Sequence, residues 1–503
     1  MTQAADLVLT NGRIRTLTGE TAEAVAVRNG EIVRVGRQAE VDFLSGVETR
    51  EIDLDGRVLL PGFVDAHTHL DVLGQQQHEA DLSGAASPRD CLDRLGERRN
   101  ETDEGWVLGF GYDESRWDGE CLTREQLDEV SRERPVVAFR EDLHLASVNS
   151  VVLERFEGEF PREDVRTEGG EPTGVLVEEA LTVLREEIKP GPDRMRAYLL
   201  AAQEYAHRHG VTTVHDMVRR SHAPRIYRDL ELTGELTLRV RLNYWADHLD
   251  AVLETGLRTN HGSERIQMGG IKTFIDGSIG GQTARLSEPY ADGEKRGEWV
   301  TAPAELEALV ERVDDAGLQM TVHAIGDEAI GAACDAYEGT DGERHRIEHV
   351  EVLTPELIER LSAADAIASV QPNFLKWARE GGLYEKRLGR DRCKQSNQFS
   401  ELLAAGVDVS FGSDCMPLDP LFGIEQAVTA PEPTQRLDVT EAIRAYTAGG
   451  AYAGFDEDRL GTIEPGKYGD FVVLEDSPWT AEPISEIDTV LTVVGGDIVY
   501  DGR

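Results

Sequence analysis

The chain opens and closes on short runs in which apolar and polar positions alternate. "ADLVLTNGRIRTL", "AEAVAVRNGEIVRVG" and "REIDLDGRVLLPG" occupy its start, and "GDFVVLEDSP" and "VLTVVGGDIVYDGR" its end. Alternation with period two predicts strands that bury one face. Asn11-Gly12, Asn29-Gly30 and Asp55-Gly56 interrupt the first runs and predict hairpin turns. Strand-rich ends around a helical middle predict one small β-sandwich domain built from both termini, residues 1–60 plus 455–503. Two unrelated caps are the alternative.

Between the ends, β-branched runs alternate with helical periodicity. Strands are predicted over 62–69, 210–217, 236–245, 269–276, 318–324, 344–350, 366–373 and 406–414. Helical patterns such as "APAELEALVERVDDAG" and "TPELIERLSAADA" separate them. Eight strands with intervening helices predict an α/β chain whose residues 61–454 close into a (β/α)8 barrel of the TIM type. The long gap after the first strand, at about 75–195, holds strand-like and helical pieces of its own. It reads as an insertion expected over the barrel's C-terminal face, where such barrels carry their active sites.

Charge narrows the function. Ninety-five acidic residues against 52 basic ones give −43. Such a surface repels nucleic acid and anionic membranes, which are bound by clustered Lys and Arg. The acids are dispersed rather than gathered in a tail, the pattern of a salt-adapted protein whose self-repulsion is screened by ions. No apolar run reaches the roughly 20 residues of a membrane span. The N-terminus lacks the basic and apolar regions of a signal peptide, so a cytoplasmic enzyme is expected. Five scattered cysteines without a CxxC pair predict neither a disulfide framework nor a structural zinc knot.

The chemistry-bearing residues fall on the predicted strands. His67 and His69 alternate at the end of the first, so both face the barrel mouth. Lys272 lies on the fourth strand, His323 on the fifth, His349 on the sixth and Asp414 at the end of the eighth. A lone HxH is weak evidence, and a single barrel histidine is more often a hydrogen-bonded core residue. Six such groups in register with eight strand ends point to a metal site, and imidazole and carboxylate suit zinc, iron or manganese. Lys272 stands out because the chain has seven lysines to forty-five arginines, and lysine is a poor strand residue and costly to bury.

These segments resemble the amidohydrolase superfamily and, within it, the YtcJ-like amidohydrolase family 3, which includes N-substituted formamide deformylase-like enzymes. The resemblance covers essentially the whole chain through "PGFVDAHTHL", "KTFIDGSIGGQTARL", "VHAIGD", "RHRIEHVE", "FGSD", "RAYTAGGAYAGF" and "GTIEPGKYGDFVVL". It implies a metal-dependent hydrolase of carbon–nitrogen bonds other than peptide bonds, acting on an amide, N-formyl or cyclic amide. It implies one or two divalent metal ions, zinc first among them, on His67, His69, Lys272, His323 and His349, with Asp414 as the catalytic carboxylate. In related enzymes the strand-four lysine carries a carbon dioxide-derived carbamate that bridges two metals; for Lys272 the alternative is a buried ion pair with Asp276 or another acid. The expected chemistry is attack by metal-activated hydroxide, with Asp414 accepting the proton and passing it to the leaving nitrogen.

Asp65, Asp327 and Glu348 are candidates to orient the histidines. His144 is a second catalytic candidate, although the chain reads Asp142-Leu143-His144 where the family has Asp-Gly-His. Trp117, His215 and Asp216 are candidate pocket residues, each with a core reading beside it. "GSDCMPLDP" departs from the commoner Trp-Pro after the aspartate and leaves substrate preference open. Cys415 has no neighbouring base and reads as a packed side chain. The expected partner is a small-molecule substrate, with neither nucleic acid nor membrane, and a homodimer is allowed. Ester hydrolysis or isomerisation at the same site, or a non-catalytic regulatory relative, are the rival readings.

Overall fold

The eight strands of the middle segment are hydrogen-bonded side by side in chain order, all parallel. In the computed structural model, which describes residues 3–102, 105–114, 117, 120–140, 145–340, 342 and 344–503, they are β1 (Phe63–Thr68), β2 (Val211–Val218), β3 (Arg239–Trp245), β4 (Ile266–Phe274), β5 (Gln319–Ala324), β6 (Arg346–His349), β7 (Ile367–Val370) and β8 (Val409–Phe411). Every residue of β1, β2, β5, β6, β7 and β8 is buried. That is the burial expected of a parallel sheet covered on both faces. The first and last strands meet where the Asp414 amide donates to the His67 carbonyl at 2.8 Å. The arrangement is a (β/α)8 barrel.

The outer helices follow from local sequence. Pro303–Asp315 begins with proline at its first turn, where the missing N–H is not needed, and buries Leu306, Val310 and Val313 along one face. Pro355–Ala363 is capped by Thr354, whose side chain accepts from the Leu357 amide.

Both termini form sheets against the barrel. One sheet orders Glu31–Gly36, Ala24–Arg28, Leu7–Thr10 and Arg50–Asp53. The other orders Asp497–Asp501, Thr489–Val494, Phe471–Leu474, Val58–Pro61, Arg13–Arg15 and Thr21–Ala22. Their facing side chains, among them Leu9, Ile14, Val25, Leu59, Phe471 and Val493, make one core. Asn29-Gly30 is a hairpin turn, with φ of 53° and 81° that suit a two-residue loop. The other two expected hairpins are corrected: Leu7–Thr10 and Arg13–Arg15 lie in different sheets, as do Arg50–Asp53 and Val58–Pro61. Asn11-Gly12 and Asp55-Gly56 therefore carry the chain from one sheet to the other. Arg239 at the start of β3 grips Asp470 with two hydrogen bonds of 2.7 and 3.0 Å, both side chains buried, which fixes the C-terminal sheet to the barrel floor.

By compactness the chain divides into one unit of Met1–His69 with Gln203–Arg503 and another of Leu70–Ala202. The second has its own six-stranded sheet, with Ala80–Asp81, Val107–Tyr112 and Val136–Arg140 parallel and the remaining strands antiparallel. Helices Pro88–Glu101 and Arg124–Val130 pack on it over Leu95, Leu127 and Val107. No helix among the described residues is long and apolar enough to cross a membrane.

Candidate metal centre

The centre is built at the seam between β1 and β8. Asp65, His67 and His69 alternate toward the barrel axis. Asp65 Oδ1 accepts from the His67 amide at 3.2 Å and the Ser413 amide at 2.9 Å, tying the two strands together. Burial pushes this carboxyl up to about 7 against those hydrogen bonds. Gly412 permits the approach, because a Cβ there would sit 2.4 Å from the His67 nitrogen. The chain then turns through left-handed conformations at Asp414 (φ 51°) and Cys415 (φ 58°), which aims the Asp414 carboxylate at the histidines. Asp414 Oδ1 lies 3.3 Å from His69 Nε2 and 3.6 Å from His67 Nε2. One ligand atom from each of the three residues falls within 4.8 Å of the others.

Two more imidazoles join from β5 and β6. The His349 ring centroid is 4.4 Å from that of His323 and 5.0 Å from that of His67. Strict alternation would place His349 with Ile347 on the outer face, but its φ of 77° ends the strand and swings the ring inward. Its Nδ1 is buried without a hydrogen-bond partner. Lys272 is 1% exposed, and its Nζ likewise has none. Burial pulls the Lys272 amine down to about 8, against the raising pull of Glu348 and Asp414. Burial, reinforced by the Lys272 charge, takes His67 and His349 well below their ordinary range and His323 to about 3, so these rings stay neutral.

Hydrogen bonds set which nitrogen each ring offers. His67 Nδ1 is 2.5 Å from Glu348 Oε2, which leaves Nε2 as the free lone pair. His323 donates Nε2–H to the Gly277 carbonyl at 2.9 Å, leaving Nδ1. His69 commits Nδ1–H to the Met217 carbonyl at 3.2 Å. Its Nε2 then faces Asp414 either as the second N–H of an imidazolium or as a lone pair separated from the carboxylate by a cation. Burial works to raise the Asp414 carboxyl, and the His69 contact with the nearby positive groups outweighs it and holds the group below its ordinary value.

The other candidates separate by geometry. Glu348 orients His67, whereas Asp327 accepts from the Ser287 amide and hydroxyl and orients a loop instead. Asp276 accepts from the amides of Ile325, Gly326 and Arg285, so Lys272 is not its hydrogen-bond partner. His215 is sealed in the barrel interior, its Nδ1 accepting from Arg346 at 2.7 Å. Asp216 points outward to the Tyr227 hydroxyl at 2.8 Å. Trp117 stacks on Tyr112 with centroids 6.2 Å apart, against the core of its own unit. His144 lies outside the described residues. Cys415 Sγ sits 2.8 Å from Thr68 Oγ1 and 3.2 Å from the His69 amide, a packed and hydrogen-bonded thiol that burial pushes well up. Arg346, which holds Glu348, carried no signal of its own beyond standing two residues before it in "RIEH".

These residues fit a divalent cation. Nε2 of His67 and of His69 beside the Asp414 carboxylate makes an N/O donor set, with the His349 ring next to His67 and the His323 ring next to His349. The Lys272 amine is buried close by, its Nζ without a hydrogen-bond partner.

Comparison with known proteins agrees with this chemistry. A family model described as the amidohydrolase family matches residues 50–500. The protein LONG AFTER FAR-RED 3 of Arabidopsis thaliana is 33% identical, over 99% of this chain and 92% of its own length. N-substituted formamide deformylase of Arthrobacter pascens is 26% identical over 100% and 99%. The crystal structure of an uncharacterized metal-dependent hydrolase from Pyrococcus furiosus superposes with a TM-score of 0.83 at 30% identity, covering 94% of this chain and 100% of that one.

Proposed function

The chain belongs to the amidohydrolase family, and on that premise we propose that it hydrolyses the carbon–nitrogen bond of an amide, N-formyl or cyclic amide with a divalent metal, zinc first, held by His67, His69, Lys272, His323 and His349. The observation that carries the proposal is the approach of Asp414 Oδ1 to Nε2 of both His67 and His69, at 3.6 and 3.3 Å, inside a ring of buried donors. The formamide deformylase relative supports the bond type. When bound, the cation supplies Lewis acidity toward water and toward the substrate carbonyl.

The chain's own residues do the rest. Neutral His67, His323 and His349 give lone pairs without competing for protons. A neutral Lys272 adds carbon dioxide through Nζ and releases one proton, giving an anionic carbamate with two oxygens. Asp414, pinned by its amide to the His67 carbonyl, takes the proton of the attacking water and delivers it to the departing nitrogen. A panel of amides, N-substituted formamides, cyclic amides and matched esters, run with zinc-loaded protein, tests the reading. Wild type should turn over a C–N substrate, and Asp414→Asn should lose about 10²-fold or more in kcat. Cleavage of the esters alone, or an Asp414→Asn rate equal to wild type, contradicts it.

A further inference from the structure

Arg346 has no exposed surface, yet its guanidinium is almost fully hydrogen-bonded. Nε donates to Glu348 Oε1 at 2.9 Å, and Nη1 donates to His215 Nδ1 at 2.7 Å. Nη2 donates to the Ala66 carbonyl at 2.6 Å and to Ser369 Oγ at 3.0 Å. One side chain thus touches β1, β2, β6 and β7 directly beneath the metal-site histidines. Glu348 is sealed between it and His67, with Oε1 on the arginine and Oε2 on His67 Nδ1.

We propose that Arg346 is a positioning residue that decides, through Glu348, which ring nitrogen of His67 carries the proton, and so whether Nε2 offers the metal a lone pair. The inference rests on reading the site as a metal centre. A guanidinium only donates, so residue 348 must turn an acceptor toward Arg346 and give His67 whatever atom remains. With glutamate, the remaining atom is a second acceptor. It keeps the His67 proton on Nδ1 and leaves Nε2 free, 3.6 Å from Asp414. With glutamine, the oxygen would still face Arg346, and the amide nitrogen would be left to donate to Nδ1. The proton of His67 would then move to Nε2 and block ligation there. The arginine's contacts on four strands leave it no other orientation.

Zinc and cobalt affinities, measured by chelator competition, and the visible spectrum of the cobalt form test this without any substrate. Glu348→Gln is isosteric and should still fold in the metal-free state, at a lower melting temperature because the buried Arg346 loses its carboxylate partner. Its metal affinity should fall 10–100-fold, the usual effect of a partner that orients a ligand. Glu348→Asp is shorter but accepts on both oxygens, so it should bind metal more tightly than Glu348→Gln. In Arg346→Met/Glu348→Gln the amide is free to flip and present its oxygen to His67, so metal binding and the cobalt spectrum should recover toward wild type. If that variant does not fold, Arg346→Gln in the same Glu348→Gln background fills the space and frees the same choice. A purely structural role predicts additive losses and Glu348→Asp weaker than Glu348→Gln; either result overturns the proposal, as does wild-type affinity in Glu348→Gln. A wild-type chain that binds neither metal fails differently, because it removes the metal-centre reading itself.

Discussion

Lys272 and His207 show how burial sets charge at single residues. An ammonium without a hydrogen-bond partner is costly inside a protein, and burial lowers the Lys272 amine to about 8, so it gives up its proton more readily than an exposed lysine. His207 is the same effect away from the metal centre: Nδ1 donates to the Val211 carbonyl at 3.1 Å and Nε2 accepts from Thr237 Oγ1 at 2.9 Å. Burial pulls this imidazole from 6.5 down to about 4. Between those values the unfolded chain binds a proton that the folded chain refuses, so stability is present above about 6.5 and is lost as pH falls toward 4. One such proton gives a slope of about 1.4 kcal/mol per pH unit. Thermal melts from pH 7 to 4 should therefore show a shallower decline in His207→Gln than in wild type. Parallel curves would show that the histidine is not buried neutral.

At the scale of elements, the barrel strands were legible because a parallel strand buried on both faces must be a short, β-branched run, and helices with clear apolar stripes separate these runs. The terminal strands were legible as strands but not as pairs. Asn-Gly and Asp-Gly report only that the backbone takes positive φ, and the chain uses that turn both to fold a hairpin at Asn29-Gly30 and to cross between sheets at Asn11-Gly12. The site was legible where alternation holds, at His67 and His69. His349 was named from its place on the sixth strand, but its inward ring depends on a left-handed backbone that alternation does not give, and the need for Gly412 comes from a strand remote in sequence. Arg346 escaped notice because a buried arginine pairs across strands, and its partners at Ala66, His215 and Ser369 are scattered through the chain.

Over the whole molecule, −43 formal charges sit on a folded chain of 503 residues. Raising salt from 0.1 to 1 M shortens the Debye length from about 10 to about 3 Å, so repulsion among neighbouring acids should weaken. The melting temperature should rise between 0.1 and 2 M KCl, and a flat response would show that the acids are already compensated locally. The central proposal is that the buried donors around His67, His69 and Asp414 hold a divalent cation. Elemental analysis after exhaustive dialysis against metal-free buffer, on wild type beside Lys272→Ala, measures that directly. One or two equivalents of a divalent transition metal should be retained by wild type and lost from Lys272→Ala while both remain folded. A wild-type chain that holds no metal and takes up none on reloading, or a Lys272→Ala chain that holds as much as wild type, would contradict it.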